Sequence, residues 1–492
     1  MKKKASARLA AIARCIRLCA LSAAACWLLL VPLQATASVN LAALIGDNMV
    51  LQQGVEARIW GTADASEQVT VRLAGQEKSA RANSQGRWQV RLDPLTAGGP
   101  FEMTISANNT ITVRNVLVGE VWVCSGQSNM ALTVASSANP LQESEEARYP
   151  QIRLFAVKMK GAPDPERDVV GKWVECTPKT APGFSAVAYF FGRQLHKALG
   201  VPVGLMQSCV GGTPAEAWTS MSTLAADPDF SQIVARWSRG PAKPDFITPT
   251  YLYNGMIAPL TPYAIRGAIW YQGESNASRA YQYRKLFPAM IRDWRRAWRQ
   301  GDFPFLFVQL ANFMQPAKEP GAPSDWAELR EAQMMALAVP NTAMATAVDI
   351  GAALDIHPKN KQEVGWRLAQ CALATVHGRK VACYGPVYDG MTIEGNQIRL
   401  RFKNAEGGLW TRFVSHDGQK AFAIAGQDHQ FAWGEAKVEG ETVVVSSKDV
   451  AAPVAVRYAW ADNPPCSLYN KAGFPALPFR TDDWPGSTQG KQ

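Results

Sequence analysis

Hydrophobic and polar positions change rhythm twice along the chain. In residues 68–73 (QVTVRL), 88–92 (WQVRL) and 101–105 (FEMTI) apolar residues alternate with polar ones, and Gly75, Ser84-Gln85-Gly86 and Gly98-Gly99 punctuate the runs. A period of two belongs to strands with one buried face, so residues 38–118 predict a small β-sandwich-like module. From about residue 119 the pattern becomes short unbroken apolar runs followed by helical periodicity, as expected of buried parallel strands joined by crossover helices. The predicted strands are 121–124, 203–207, 268–271, 305–310 and 343–348. The predicted helices are 186–199, stopped by Gly200, then 281–298, 326–338 and 359–376, closed by Gly378. Strand-like text returns after Pro386, at 398–402, 442–446 and 454–460. The fold class is therefore α/β: a doubly wound parallel-sheet domain at 119–380, flanked by the N-terminal β-sandwich-like module and a C-terminal β-rich module at 381–492. Stretches 133–166 and 219–249 contain proline and little periodicity, and are expected to be long loops that wall the site.

The first 37 residues stand apart from this organisation. Lys2, Lys3, Lys4, Arg8, Arg14 and Arg17 form a basic segment, residues 18–33 an apolar run, and Ala35-Thr36-Ala37 a small-residue cleavage site. These are the three parts of a secretory signal peptide, with cleavage expected after Ala37. A spanning helix needs about 20 apolar residues. This run is shorter and is interrupted by Pro32, so no membrane association is expected after cleavage and the mature chain is placed in the periplasm or outside the cell. The charge then loses its apparent meaning. The formal balance of +10 suggests a nucleic-acid partner, but without the signal 45 basic residues face 41 acidic ones, and none is expected. Cys124, Cys176, Cys209, Cys371, Cys383 and Cys466 remain, without C-x-x-C spacing. An oxidising compartment permits disulfides among them, and neither a metal nor a cofactor is expected.

In a doubly wound sheet, ligands bind beyond the carboxyl ends of the strands. Four segments fall there. In Val121-Trp-Val-Cys-Ser-Gly-Gln-Ser-Asn-Met130 a strand runs into a turn that exposes Ser128 with its own N–H at a helix start, although an N-cap serine has the same local pattern. Ser208-Cys209-Val210-Gly211-Gly212-Thr213-Pro214 is a tight turn opening a helix, whose free N–H groups suit an oxyanion. In Ile269-Trp-Tyr-Gln-Gly-Glu-Ser-Asn276 the Gln272 amide can donate to the same charge, while Glu274 orients a neighbour or caps a helix. Asp349-Ile-Gly-Ala-Ala-Leu-Asp355-Ile-His357-Pro358 supplies a base with an acid two residues before it, as nucleophilic serine requires. His196, His377, His416 and His429 lack that placement. Asp355 competes as an N-cap of the following helix, and Asp349 is the reserve acid. Asn129, Glu274, Asn276 and Trp218 stand beside these groups and are expected to contact substrate; Trp218 and Trp270 are either sugar-stacking walls or core.

Together the segments resemble the SGNH hydrolases, and within them the bacterial sialate O-acetylesterase-like branch. The resemblance is carried by Asp47-Asn-Met-Val-Leu-Gln52, Gly126-Gln-Ser-Asn-Met130, Gly211-Gly-Thr213, Leu252-Tyr-Asn-Gly-Met256, Trp270-Tyr-Gln-Gly-Glu-Ser-Asn276, Asp355-Ile-His-Pro358 and Arg457-Tyr-Ala-Trp-Ala-Asp462, which span nearly the whole mature chain. It implies a flavodoxin-like hydrolase domain that removes O-acetyl groups from carbohydrate without a metal. Ser128 corresponds to the nucleophile and His357 to the base, with an oxyanion hole from the Ser128 N–H, the Gly212 N–H and Gln272, the last replacing the Asn of many relatives. Two positions depart from the family pattern. The acid is normally three residues before the histidine, where this chain has Leu354, so Asp355 is one residue closer. The G-x-N-D block is absent, which leaves Asn276 as a rival to Gln272.

The expected reaction is acetyl transfer to Ser128 and hydrolysis of the acetyl-enzyme, with activity rising across roughly pH 6–7 as His357 loses its proton. Acetylated xylan or xyloglucan would serve the same machinery. A non-catalytic carbohydrate-binding protein is the rival from another class, against which an intact Ser128, Asp355 and His357 argue.

Overall fold

The computed structural model describes residues 39–238, 245–411 and 421–491. The predicted signal segment and His416 lie outside them. Among the described residues no helix is long and apolar enough to cross a membrane.

The alternating N-terminal segments form strands as expected, at Gln68–Leu73, Arg87–Leu92 and Gly98–Ser106. Val69, Val71, Leu73, Trp88, Val90, Leu92, Met103 and Ile105 fill the interior between two layers of strands. Gln76–Arg81 adds a strand that the hydrophobic pattern misses, because it is an edge of mostly polar residues joined to Gln68–Leu73 by a tight turn at Ala74-Gly75, both with positive φ.

The central sheet begins inside this module. Its strands, in chain order, are β1 (Thr110–Gly126), β2 (Tyr149–Ala156), β3 (Trp173–Cys176), β4 (Val203–Cys209), β5 (Gly267–Tyr271), β6 (Phe305–Gln309) and β7 (Thr342–Thr346). The first half of β1 pairs antiparallel with Gly98–Ser106, and its second half pairs in parallel with β4 and β5. One continuous strand thus passes from the β module into the central sheet across residue 118. The spatial order is β3-β2-β4-β1-β5-β6-β7, with β3 antiparallel to β2 and the rest parallel.

Strands β2 and β3 correct the sequence reading. Residues 133–166 were expected to be a loop, yet they contain Tyr149–Ala156 inside the sheet. Its apolar run is broken by Arg153, which is 3% exposed. The guanidinium is tolerated there because it donates to the carbonyls of Pro150, Asn48 and Asn115 and faces Glu175 at 3.5 Å. The other expected loop, 219–249, carries the short helices Met221–Ala225 and Ser231–Ser238.

The helices that matter here are α1 (Ser128–Ala131), α2 (Ala186–Leu199), α3 (Ala280–Trp298), α4 (Asp325–Met335) and α5 (Lys361–Thr375). Ser185 caps α2 by accepting from the Ala188 N–H, and Gly200 ends it in the left-handed conformation. Helices α2 and α5 approach closely at Gly365, where a Cβ would stand 2.5 Å from Phe190 Cβ and 2.8 Å from the Phe191 nitrogen. That contact sets the height of α5, and with it the loop that precedes it.

The C-terminal module consists of strand groups around Gln397–Lys403 and Thr442–Ser446, and around Phe422–Ala425 and Ala455–Tyr458. Arg330, on α4 and with no exposed surface, holds it to the sheet. Its guanidinium donates to Leu310 O and Ala311 O just past β6, and to Ala461 O and Asp462 O of the C-terminal module. An unmade buried hydrogen bond costs about 1–3 kcal/mol. Arg330→Met is therefore expected to lower stability by roughly 3 kcal/mol, read from the midpoint of urea unfolding. A loss below about 1 kcal/mol would show that the clamp is not structural.

Candidate active site

Strand β1 ends against β5 without space for a side chain. At Gly126, φ is +135° and a Cβ would lie 2.1 Å from Tyr271 O, so only glycine keeps the two strands in register. The next residue, Gln127, donates its N–H to Tyr271 O at 2.9 Å, and its Oε1 accepts from the Ser275 N–H at 3.3 Å. The chain then turns into the single turn of α1, which starts at the partly exposed Ser128. The Met130 and Ala131 N–H groups donate to Gln127 O, which leaves the Ser128 and Asn129 N–H groups at the start of the turn available to a ligand. Across from this turn is the loop after β4. The position of a Cβ on Gly211 would be 3.4 Å from Ser128 Cβ, so the absence of a side chain keeps the space over the hydroxyl open. Both Gly211 and Gly212 are exposed.

The loop after β7 supplies the histidine. His357 Nδ1 faces Asp355 Oδ1 at 3.6 Å, an ion-pair separation longer than a hydrogen bond, while the same oxygen accepts the His357 N–H at 2.8 Å. Lys359 lies 3.4 Å from the other Asp355 oxygen. Accepting the His357 N–H holds the Asp355 carboxyl below its ordinary value of 3.8. Burial pulls His357 below 6.5, Asp355 opposes this, and Lys361 and Lys359 add to it. The reserve acid, Asp349, is engaged elsewhere: both of its oxygens are held by Arg367, at 2.7 and 3.0 Å, and Tyr469 donates to it at 3.3 Å.

Asn129 ties the three loops together. Its Nδ2 donates to Ile356 O at 2.9 Å and to Glu274 Oε1 at 2.6 Å, and its Oδ1 accepts from Lys361 Nζ at 2.5 Å. The residue after Ser128 is thereby bonded to the residue before His357. Burial raises the Glu274 carboxyl above 4.5, with Asn129 pulling it back, and burial lowers the Lys361 ammonium from 10.5 to about 7, against the pull of Glu274.

The family described as carbohydrate esterase, sialic acid-specific acetylesterase matches residues 118–374, which contain Ser128, the glycine turn and the Asp355–His357 loop. The chain belongs to this family. It is 34% identical to the sialate O-acetylesterase of Homo sapiens, over 90% of this chain and 93% of that protein. The sialate O-acetylesterase of Rattus norvegicus is 32% identical over 89% of this chain and 93% of its own length. The crystal structure of a carbohydrate acetylesterase from Xanthomonas citri superposes with a TM-score of 0.83 at 38% identity, covering 91% of this chain and all of the other. The activity is carbohydrate O-deacetylation by a carboxylic ester hydrolase.

Within this acetylesterase, several side chains expected to meet substrate are turned inward. Trp218 has no exposed surface; its Nε1 donates to Thr213 Oγ1 and its ring packs edge-on against Trp270, also fully buried. A ring enclosed on both faces cannot stack on a sugar, so both tryptophans are core. Asn276 is 1% exposed and occupied by Glu216, the Ala215 N–H and Gln272. Asn129 has the same 1% exposure and serves as the hub rather than as a contact for sugar. Gln272 is fully enclosed, with Nε2 donating to Asn276 Oδ1 at 2.7 Å and Thr213 O at 3.2 Å and Oε1 accepting from the Tyr283 hydroxyl. Both amide protons are thus taken, and in this arrangement Gln272 braces the end of β5 to the glycine loop instead of offering a donor to an oxyanion. The sequence alone does not single out Lys361, and of the Gly211-Gly212 pair it favours Gly212, whereas Gly211 is the one that faces Ser128. Lys361 resembles any polar residue at a helix start, and Gly211 differs from Gly212 only in what it faces.

Proposed function

We propose that the domain is a flavodoxin-like SGNH serine esterase in which Ser128 is the nucleophile, His357 the general base and Asp355 the acid that orients it. The observation that carries this reading is the Asn129 bond to Ile356 O, which brings the Ser128 turn and the His357 loop to one place. Asp355 beside Nδ1 favours the tautomer whose Nε2 takes the Ser128 proton as the hydroxyl attacks the acetyl carbonyl. The oxyanion is received by the Ser128 N–H and by the N–H groups of Gly211-Gly212, of which Gly212 has the turn geometry (φ +71°) and Gly211 the proximity. His357 then protonates the departing sugar oxygen, and water attacks the acetyl-enzyme with the same groups in reverse roles. Catalytic hydrogen bonds are often long before substrate is present, so the 3.6 Å separation of Asp355 and His357 is compatible with this role.

The substrate favoured by the family is an O-acetylated sialic acid, met after export from the cytoplasm through the signal-like N-terminus. The test is acetate release from O-acetylated sialic acid and from acetylated xylan at matched acetyl concentration. The sialic acid is expected to give the higher kcat/KM; a higher value on xylan would transfer the assignment to plant-type polysaccharide.

A further inference from the structure

Lys361 sits where a lysine is costly. It is the first residue of α5, so its charge is close to the positive end of the helix, and its side chain has no exposed surface. It lies four positions after His357 in the chain, yet its side chain is enclosed. Its Nζ is bonded to Asn129 Oδ1 and stands 5.2 Å over the centroid of the Tyr271 ring, whose face attracts a cation. Glu274, the nearest counter-charge in the network, is reached through Asn129 rather than directly. The second Glu274 oxygen, Oε2, is buried and makes no hydrogen bond among the described residues.

This arrangement fixes the Asn129 amide. With an ammonium on one side and a carboxylate on the other, only one orientation has the amide oxygen facing the cation and the amide nitrogen facing the anion. In that orientation Nδ2 also holds Ile356 O, and so sets where His357 stands relative to Ser128. A neutral amine accepts as well as donates and removes the preference. The groups that face Lys361 electrostatically are Glu274, Lys359 and Asp355; those that face His357 are Asp355, Lys361 and Lys359.

We propose that Lys361 is a positioning residue of the esterase: its charge, with that of Glu274, locks Asn129 so that the His357 loop is held over the Ser128 turn. The proposal rests on the serine-esterase reading above. It gives the enzyme two titrations in one rate profile, an acid limb from His357 and an alkaline limb from loss of the Lys361 proton.

The test uses kcat, KM and pH profiles of the mature enzyme on 4-nitrophenyl acetate, corrected for spontaneous hydrolysis, for wild type, Lys361→Met, Glu274→Gln and Ser128→Ala. A displacement of about 1 Å at a reacting group costs on the order of 10²-fold, so Lys361→Met is expected to lose about that much in kcat with KM within about threefold. Its alkaline limb should vanish, and its acid limb should move to higher pH because a positive charge near His357 is gone. Glu274→Gln keeps an acceptor for Asn129 but removes the carboxylate that stabilises the lysine's charge, so its alkaline limb should move to lower pH. Should Lys361→Met fail to fold, the Glu274→Gln profile decides alone. A folded Lys361→Met with wild-type kcat and profile would overturn the proposal, as would limbs in Glu274→Gln that coincide with wild type. Ser128→Ala separates the two levels: full activity in that variant rejects the serine-esterase reading itself, whereas an inactive Ser128→Ala beside an unchanged Lys361→Met rejects only the lock.

Discussion

Ser128→Ala is expected to abolish ester hydrolysis, with kcat on 4-nitrophenyl acetate falling by about 10⁴–10⁶-fold, the range seen when a nucleophile is removed from a serine hydrolase. The fold should be unaffected. Among the described residues the Ser128 hydroxyl has no hydrogen-bond partner, so its loss leaves no buried group unsatisfied, and the backbone of the turn is held by Gln127 on Tyr271 O and by Gly126 against β5. Equilibrium unfolding should therefore agree with wild type within about 0.5 kcal/mol, as for surface substitutions away from special features. Mass spectrometry of the wild-type enzyme quenched during turnover should find the acetyl group on the peptide containing Ser128. If the alanine variant retains more than a hundredth of wild-type turnover, another residue is the nucleophile.

His357→Gln is expected to reduce kcat by about 10³-fold or more, since a positioned general base contributes roughly 10²–10⁴-fold and in the proposed mechanism also returns the proton to the leaving oxygen. The wild-type pH profile carries further information. As the proposed base, His357 has to be neutral imidazole, so activity is expected to fall as pH drops through its pKa. Burial disfavours the imidazolium, and Lys361 and Lys359 repel it, while Asp355 stabilises it; the balance lies below 6.5. The acid limb should accordingly fall at lower pH than the rise across pH 6–7 that an ordinary histidine gives, and it should be absent from the residual rate of His357→Gln. Asp355 is a weak counterweight because its side chain is 43% exposed and water screens its charge. A wild-type limb centred above pH 7 would mean that the Asp355 interaction dominates burial after all.

Much of the scaffold was legible in the chain itself. Helix 186–199 was bounded correctly because Ser185 and Gly200 are strong start and stop residues, and both act as such in the structure. Strands at 203–207, 268–271 and 305–310 were legible because buried parallel strands are apolar on both faces, whatever surrounds them. Strand β2 was missed for the converse reason: Arg153 reads as a solvent-facing residue until its carbonyl acceptors on distant segments are known. Edge strand Gln76–Arg81 was missed because a strand of mostly polar residues carries no apolar stripe.

For the site, the sequence determined which chemical groups are present and which loops carry them: a serine after β1, glycines after β4, an amide and a carboxylate after β5, and an Asp-x-His after β7. Local spacing fixes these, because a strand end is followed by a loop in any α/β sheet. Only the tertiary structure decided the direction of each side chain. It sent Trp218 and Gln272 into the interior, paired Asp349 with Arg367, and brought Lys361 onto Asn129 across 232 positions of sequence. Periodicity records burial within one element, whereas a hydrogen-bond partner depends on how separate elements pack, and the proposed catalytic arrangement is made of such partners.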